Sequence, residues 1–158
     1  MIVGWTGHRP DLFRDPALAR ARVESAAREL SEQATRFLVG GQRGVDTWAA
    51  LTAIACGVGF DLVLPCELEI FTRDWAASDR VVLVESLRHA AAVRVAAGYS
   101  ERNQILARQS DLLVAVWTRT AGGGTAETID LARQAGTAVR EIILEPSDTA
   151  ASAHGRGI

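Results

Sequence analysis

The chain has 158 residues, 48% hydrophobic and 23% charged, a balance that excludes a disordered or fibrous protein and suffices for a well-filled core. Its formal net charge of -2 removes any global electrostatic pull toward nucleic acid and argues against nucleic acid as a partner. No apolar run reaches membrane-spanning length and Met1-Ile2-Val3-Gly4-Trp5 lacks the pattern of a signal peptide, so no membrane partner and a cytoplasmic location are expected.

Apolar periodicity predicts a first strand over residues 2–6, then a helix started by Asp15-Pro16 with Val23, Ala26, Ala27 and Leu30 on one face. Residues 36–39 read as the second strand, and residues 45–56 as a helix stopped by Gly57. A third strand covers 60–64 and ends at Pro65. The pattern then weakens to an irregular piece around 71–75 and a helix over 78–88, where Val81-Val82-Leu83-Val84 suits a strand equally well. Residues 92–95 form a short strand, 100–109 a helix capped by Ser100, and 112–117 a strongly apolar strand. A helix over 125–135 closed by Gly136 and a strand over 139–144 complete the pattern. Cys56 and Cys66 lack the spacing of a metal or redox pair, and Cys56 reads as a small core residue. The expected organisation is one domain over 1–146 with a flexible tail over 147–158.

Strict alternation of strand and helix implies an α/β protein, a Rossmann-like doubly wound, mainly parallel sheet flanked by helices. Such folds bind ligands beyond the carboxyl ends of the strands, where strand order reverses. The unusual residues of this chain fall there. Thr6, Gly7, His8 and Arg9 follow the first strand; Gly40, Gly41, Arg43, Gly44 and Asp46 follow the second. Asn103 lies near the start of the fourth helix, and Gly122, Gly123, Gly124 and Thr125 follow the 112–117 strand. A glycine-rich turn from strand into helix presents unpaired N–H groups and the positive end of a helix dipole, which together suit a phosphate. Arg9, Arg43, Arg102 and Arg119 add the expectation of a positively lined pocket.

In order and spacing, Thr6-Gly7-His8-Arg9-Pro10, Gly40-Gly41-Gln42-Arg43-Gly44-Val45-Asp46-Thr47, Arg102-Asn103, Ser110-Asp111 and Gly123-Gly124-Thr125-Ala126 resemble the superfamily that unites the DNA-processing protein DprA with the LOG proteins. The look is nearest to its small YpsA-like branch and covers Met1 to about Pro146. The resemblance implies a Rossmann-like fold that binds nucleotides or nucleotide-derived ligands, with some members acting as phosphoribohydrolases. It also implies a homodimer or homotetramer. In the LOG enzymes an Arg-Lys pair and a Pro-Gly-Gly-x-Gly-Thr-x-x-Glu turn serve cleavage of the N-glycosidic bond. Arg102 matches that Arg and Asn103 replaces the Lys; Ala121 replaces the Pro, and Glu127 comes one residue early, with Thr128 at the enzyme's Glu position.

Arg102 and Glu127 are thus the candidate catalytic residues, because an oxocarbenium-like state needs a carboxylate and an arginine can hold the phosphate. One residue of helix turns a side chain by about 100 degrees, so Glu127 faces differently from the enzyme's Glu. His8 has the pKa range of a proton donor, and Trp117, beside the glycine turn, is a possible stacking surface for a base although packing is its default. No His, Cys or carboxylate cluster has metal-ligand spacing, and no cofactor is expected. The reading is a nucleotide-binding or sensing protein, with a nucleoside 5′-monophosphate hydrolase as the alternative. A DprA-like binder of single-stranded DNA ranks third, behind both.

Overall fold

The computed structural model of the chain describes residues 1–120 and 123–148. Among them six strands form one sheet: β1 (Ile2–Gly7), β2 (Arg36–Val39), β3 (Phe60–Leu64), β4 (Ala92–Val95), β5 (Leu112–Trp117) and β6 (Ala138–Ile143). Every neighbouring pair is parallel, in the order β4-β3-β2-β1-β5-β6. The helices α1 (Pro16–Ser31), α2 (Val45–Cys56), the single turn α3 (Leu68–Phe71), α4 (Ala77–His89), α5 (Tyr99–Gln109) and α6 (Gly124–Gln134) lie between the strands. This is the Rossmann-like doubly wound architecture, with the strand order reversing between β1 and β5.

Successive strand side chains point to opposite faces, and the packing follows that alternation. Val3, Trp5, Phe37, Val39, Phe60, Leu62, Val114 and Val116 pack with Val23, Ala27 and Leu30 of α1, Ala49 and Ala53 of α2, and Leu83 of α4. On the other face Leu113 and Ala115 meet Ala107, Ile129 and Ala132 from α5 and α6, while Leu38 and Val63 meet Leu106. Burial on both faces is why the central strands read as unbroken apolar runs. The edge strand β4 is short, leaves Val93 and Val95 exposed, and ties Arg94 Nη2 to Gln109 Oε1 at 2.9 Å. No described helix is long and apolar enough to cross a membrane.

Asp15 caps α1 by accepting the Leu18 N–H at 3.0 Å, with Pro16 opening the helix. The ambiguous 81–84 stretch is helical: Leu83 and Ser86 are buried, and Val81 and Val84 are exposed. Residues 72–75 are turn and bend, as the sequence suggests, and the single turn α3 over 68–71 precedes them; one turn contains no full apolar period to reveal it. Ser100 does not cap α5. Gly98 holds the cap position and the Glu101 carboxylate accepts the Ala97 N–H. Cys56, the last residue of α2, is exposed rather than in the core. Ser147 N–H donates to Leu12 O at 3.0 Å; residues 149–158 of the expected tail lie outside the described residues.

Gly4 in β1 lets α5 approach closely, since a Cβ there would stand 2.1 Å from Ser110 Oγ and 3.3 Å from Leu106 O. Gly4→Ala is expected to lower the unfolding free energy by about 1–3 kcal/mol through overpacking, and by less in a Ser110→Gly background. Urea denaturation of the single and double variants tests this, and strictly additive losses would contradict it.

Candidate functional site

Where strand order reverses, a cleft of about 210 Å³ opens at the carboxyl edge of the sheet. Its walls are Thr6, Gly7, His8, Arg9 and Leu12 after β1, Gln42 and Asp46 at the start of α2, Tyr99, Arg102, Asn103 and Leu106 along α5, and Gly124 and Thr125 opening α6.

Each wall follows from local chemistry. Gly44 has φ 89°, and a Cβ on it would lie 2.5 Å from the His8 carbonyl oxygen, so only glycine lets the β2–α2 loop pass under the end of β1. The loop then folds onto the first turn of α2. Asp46 Oδ2 accepts the Gln42 N–H at 3.1 Å and the Thr47 hydroxyl donates to Gln42 O at 2.8 Å. On α5, Tyr99, Arg102, Asn103 and Leu106 recur three and four residues apart and therefore share the face turned to the cleft.

The Arg102 guanidinium is buried and well partnered. Nη1 donates to the Gly40 carbonyl at 2.8 Å, Nε donates to Asn103 Oδ1 at 2.8 Å, and Cζ lies 5.4 Å from the centre of the Tyr99 ring. Gly40 makes this possible, because a Cβ there would stand 2.5 Å from Arg102 Nη1 and 2.9 Å from Asp46 Oδ2. Asn103 Nδ2 passes the connection on to Glu127 Oε2 at 2.8 Å, and the Ser100 hydroxyl donates to Glu127 Oε1 at 3.0 Å. The two candidate catalytic residues are therefore joined through one amide, with Arg102 on the cleft wall and Glu127 behind it.

Burial dominates the titration of the other cleft groups. It pushes the Asp46 carboxyl up to about 6, against the opposing pull of Arg102 and of the Gln42 and Gly40 N–H groups. Burial, reinforced by Arg9, lowers His8 to about 4, so its imidazole is neutral at pH 7 and shares a 3.2 Å hydrogen bond between Nε2 and the Thr118 hydroxyl.

Thr6, Gly7, His8, Arg9, Asp46, Arg102, Asn103, Gly124 and Thr125 thus come together, whereas other anticipated residues do not reach the cleft. Gly40, Gly41 and Gly44 shape the loop from behind. Arg43 turns into a separate cleft of about 170 Å³ beside Arg20 and Thr47, its Cζ 5.1 Å from the Trp75 ring centre. Arg119 Nη2 pairs with Glu141 at 3.3 Å. The expected rim of four arginines is therefore reduced to Arg9 and Arg102, because side-chain direction and not loop membership decides what a pocket sees. Gly123 takes the N-cap position of α6, while Gly122 lies outside the described residues. Trp117 commits its indole N–H to Glu141 Oε1 at 2.9 Å. Leu12, Gln42, Tyr99 and Leu106 were not anticipated; the spacing of Tyr99 and Leu106 from Arg102 was the available signal. Among the described residues no group of three or more His, Cys, Asp or Glu could hold a metal ion.

No protein-family model matches the chain, and no curated protein matches it significantly. Solved structures do resemble it. DNA processing protein A from Helicobacter pylori, described for its single-stranded DNA binding mode, gives a TM-score of 0.69 at 18% identity over 99% of this chain and 73% of its own. DprA from Streptococcus pneumoniae gives 0.68 at 19% identity, over 98% of this chain and 56% of its own, so the present chain spans little more than half of that relative. The Moco carrier protein from Chlamydomonas reinhardtii gives 0.63 at 23% identity, over 97% and 81% of the two chains.

The class is that of Rossmann-like proteins with a cleft at the switch point. Within that class the chain shares the fold of the DprA structures and of the Moco carrier protein, the Rossmann-like fold that the motif resemblance implies. The finer placement in the YpsA-like branch is not carried by these neighbours. One expectation needs correction. The argument from net charge against nucleic acid does not stand beside a neighbour, similar over 99% of the chain, that binds single-stranded DNA. Net charge is a sum over the molecule, whereas a partner senses the local field.

Asp46 and His8 oppose each other in pH-dependent stability. A carboxyl raised from 3.8 to about 6 contributes stability that is complete below 3.8 and lost as pH rises through 6. An imidazole lowered from 6.5 to about 4 contributes stability present above 6.5 and lost as pH falls through 4. Relative to the parent chain, Asp46→Asn is expected to gain on the order of 2–3 kcal/mol between pH 4 and 6.5, and His8→Gln to gain at the acid end instead. Chemical denaturation across this range checks both, and offsets that do not vary with pH would refute the assignment.

Proposed function

We propose that the cleft binds a nucleotide or nucleotide-derived ligand, and that the chain is a binding or sensing protein whose residues 1–146 form a single nucleotide-binding domain. One observation carries the reading: the N-terminus of α6, the buried Arg102 and the buried acceptor Asp46 share one cleft at the switch point. The first amides of α6 and its dipole favour a phosphate at Gly124 and Thr125, and Arg9 adds an exposed cation at the same wall. The Tyr99 ring, 53% exposed beside this site, is suited to a flat base. Binding is favoured over hydrolysis because both Glu127 oxygens already accept hydrogen bonds, from Ser100 and Asn103, and Glu127 is not on the cleft wall. A second reading, single-stranded DNA, is favoured by the similarity to the Helicobacter pylori protein.

Calorimetric titration with the four ribonucleoside 5′-monophosphates is expected to show binding that Gly124→Asp weakens at least about tenfold by placing like charge at the phosphate. The variant suits the fold, since a Cβ on Gly124 meets only Asn103 Nδ2, at 3.7 Å, and an acidic first turn favours a helix. Unchanged affinity would sink the phosphate placement. In the same samples chromatography is expected to detect no free base, and its release would establish the hydrolase instead. A short oligothymidylate that binds more tightly than every mononucleotide would favour the DNA reading.

A further inference from the structure

We propose that the separate cleft holding Arg43 is a second phosphate site, so that the ligand carries two phosphates with at least one sugar between them. The inference rests on the nucleotide reading proposed above, which sets the other phosphate at α6.

Arg43 lies half-buried in the cleft of about 170 Å³ lined by residues of α1, α2 and α4, and its side chain is held without being satisfied. Its backbone N–H donates to Gln42 Oε1 at 2.9 Å, and its guanidinium lies over the Trp75 ring, 5.1 Å from the centre. Trp75 packs in turn on Phe71, with ring centres 5.0 Å apart. Stacking uses the face of a guanidinium and leaves its N–H groups free in the plane. Among the described residues the guanidinium has no hydrogen bond and no ion pair, not even with Asp79 on the same cleft wall. Nε is closed off from solvent; Nη1 and Nη2 are not, and theirs is the edge that a ligand can reach. A partly desolvated cation, kept in one orientation with no protein acceptor, marks a place where an outside anion completes the bonding. Arg20 adds a second positive charge to the wall.

The position of this cleft decides which phosphate it takes. Pro10 and Arg43 line it, while their chain neighbours Arg9 and Gln42 line the switch-point cleft, so only two chain segments separate the two. In the sheet β1 stands between β2 and β5, which puts the loop after β2 about 10 Å, two strand spacings, from the end of β5 that leads to Gly124. The phosphates of a 5′-diphosphate share one bridging oxygen and are too close together to serve both places. Phosphates with a sugar between them stand farther apart and bridge the ridge. That chemistry belongs both to a free nucleoside 3′,5′-bisphosphate and to successive residues of a single strand of nucleic acid.

The test takes the nucleoside whose 5′-monophosphate binds most tightly, with its 5′-diphosphate, its 3′,5′-bisphosphate and a 5′-phosphorylated tetrathymidylate. Each is titrated into the parent chain, Arg43→Gln and a control of equal charge, Arg22→Gln on the exposed side of α1. The bisphosphate or the tetranucleotide is expected to bind the parent chain at least about tenfold more tightly than the mono- and diphosphates, an advantage that Arg43→Gln removes and Arg22→Gln keeps. The tighter of the two then identifies the source as a free nucleotide or a strand. If the monophosphate binds and neither of these ligands gains, the inference is overturned and the nucleotide reading stands. A gain that survives in Arg43→Gln, or that falls equally in Arg22→Gln, also overturns it. If none of the four binds, the nucleotide reading fails and this inference with it. Should Arg43→Gln not fold by thermal unfolding, Asp79→Asn decides: removing the carboxylate from this cleft is expected to tighten the favoured ligand about threefold, and no gain overturns the inference.

Discussion

The hydrogen bond from Arg102 Nη1 to the Gly40 carbonyl, 2.8 Å long, joins α5 on one face of the sheet to a loop that runs into α2 on the other. A buried guanidinium is unfavourable unless its donors are occupied and its charge is offset. Here Asn103 takes Nε, Gly40 takes Nη1, the Tyr99 ring lies alongside, and Asp46 supplies the opposite charge. The Arg102 bond places the cleft walls relative to one another, and the chain from Arg102 through Asn103 to Glu127 brings the first turn of α6 into the same arrangement. The walls are thus tied together by one cation and the carbonyl, amide and carboxylate groups around it.

The cleft's polarity is set by which groups keep their charge. His8 sits in the wall as a neutral ring, and Asp46 holds its proton to a higher pH than an exposed carboxyl does. At neutral pH the two arginines outweigh the single carboxylate on the wall, so the net charge of the cleft lining is positive. Burial thus both shapes the cavity and assigns the protonation states within it.

Much of this was legible from the sequence because parallel strands buried on both faces leave unmistakable traces. β2, β3 and β5 lie within the apolar runs that predict them, the exposed edge strand β4 fills the short stretch expected over 92–95, and Asp15-Pro16 marks the start of α1. Local signals failed where they were short or shared. The turn α3 is too brief to show a period, and Ser100 has the chemistry of a cap but spends its hydroxyl on Glu127. For the site, glycines and arginines located the right loops. They did not reveal that Arg43 stacks on Trp75 or that Arg119 pairs with Glu141, because those directions are set by tertiary neighbours. Tyr99 and Leu106 were hidden in plain pattern, one helical turn either side of Arg102.

The edge strand β4 bears on how the molecule keeps to itself. A sheet edge exposes a row of backbone donors and acceptors that another chain can extend, and Val93 and Val95 would make such an extension sticky. β4 limits this in two ways: it offers only four residues, and it places Arg94 between the two valines, anchored to Gln109. An incoming strand would have to displace that bond and desolvate the charge, so the edge that exposes two valines also carries a barrier to amyloid-like stacking.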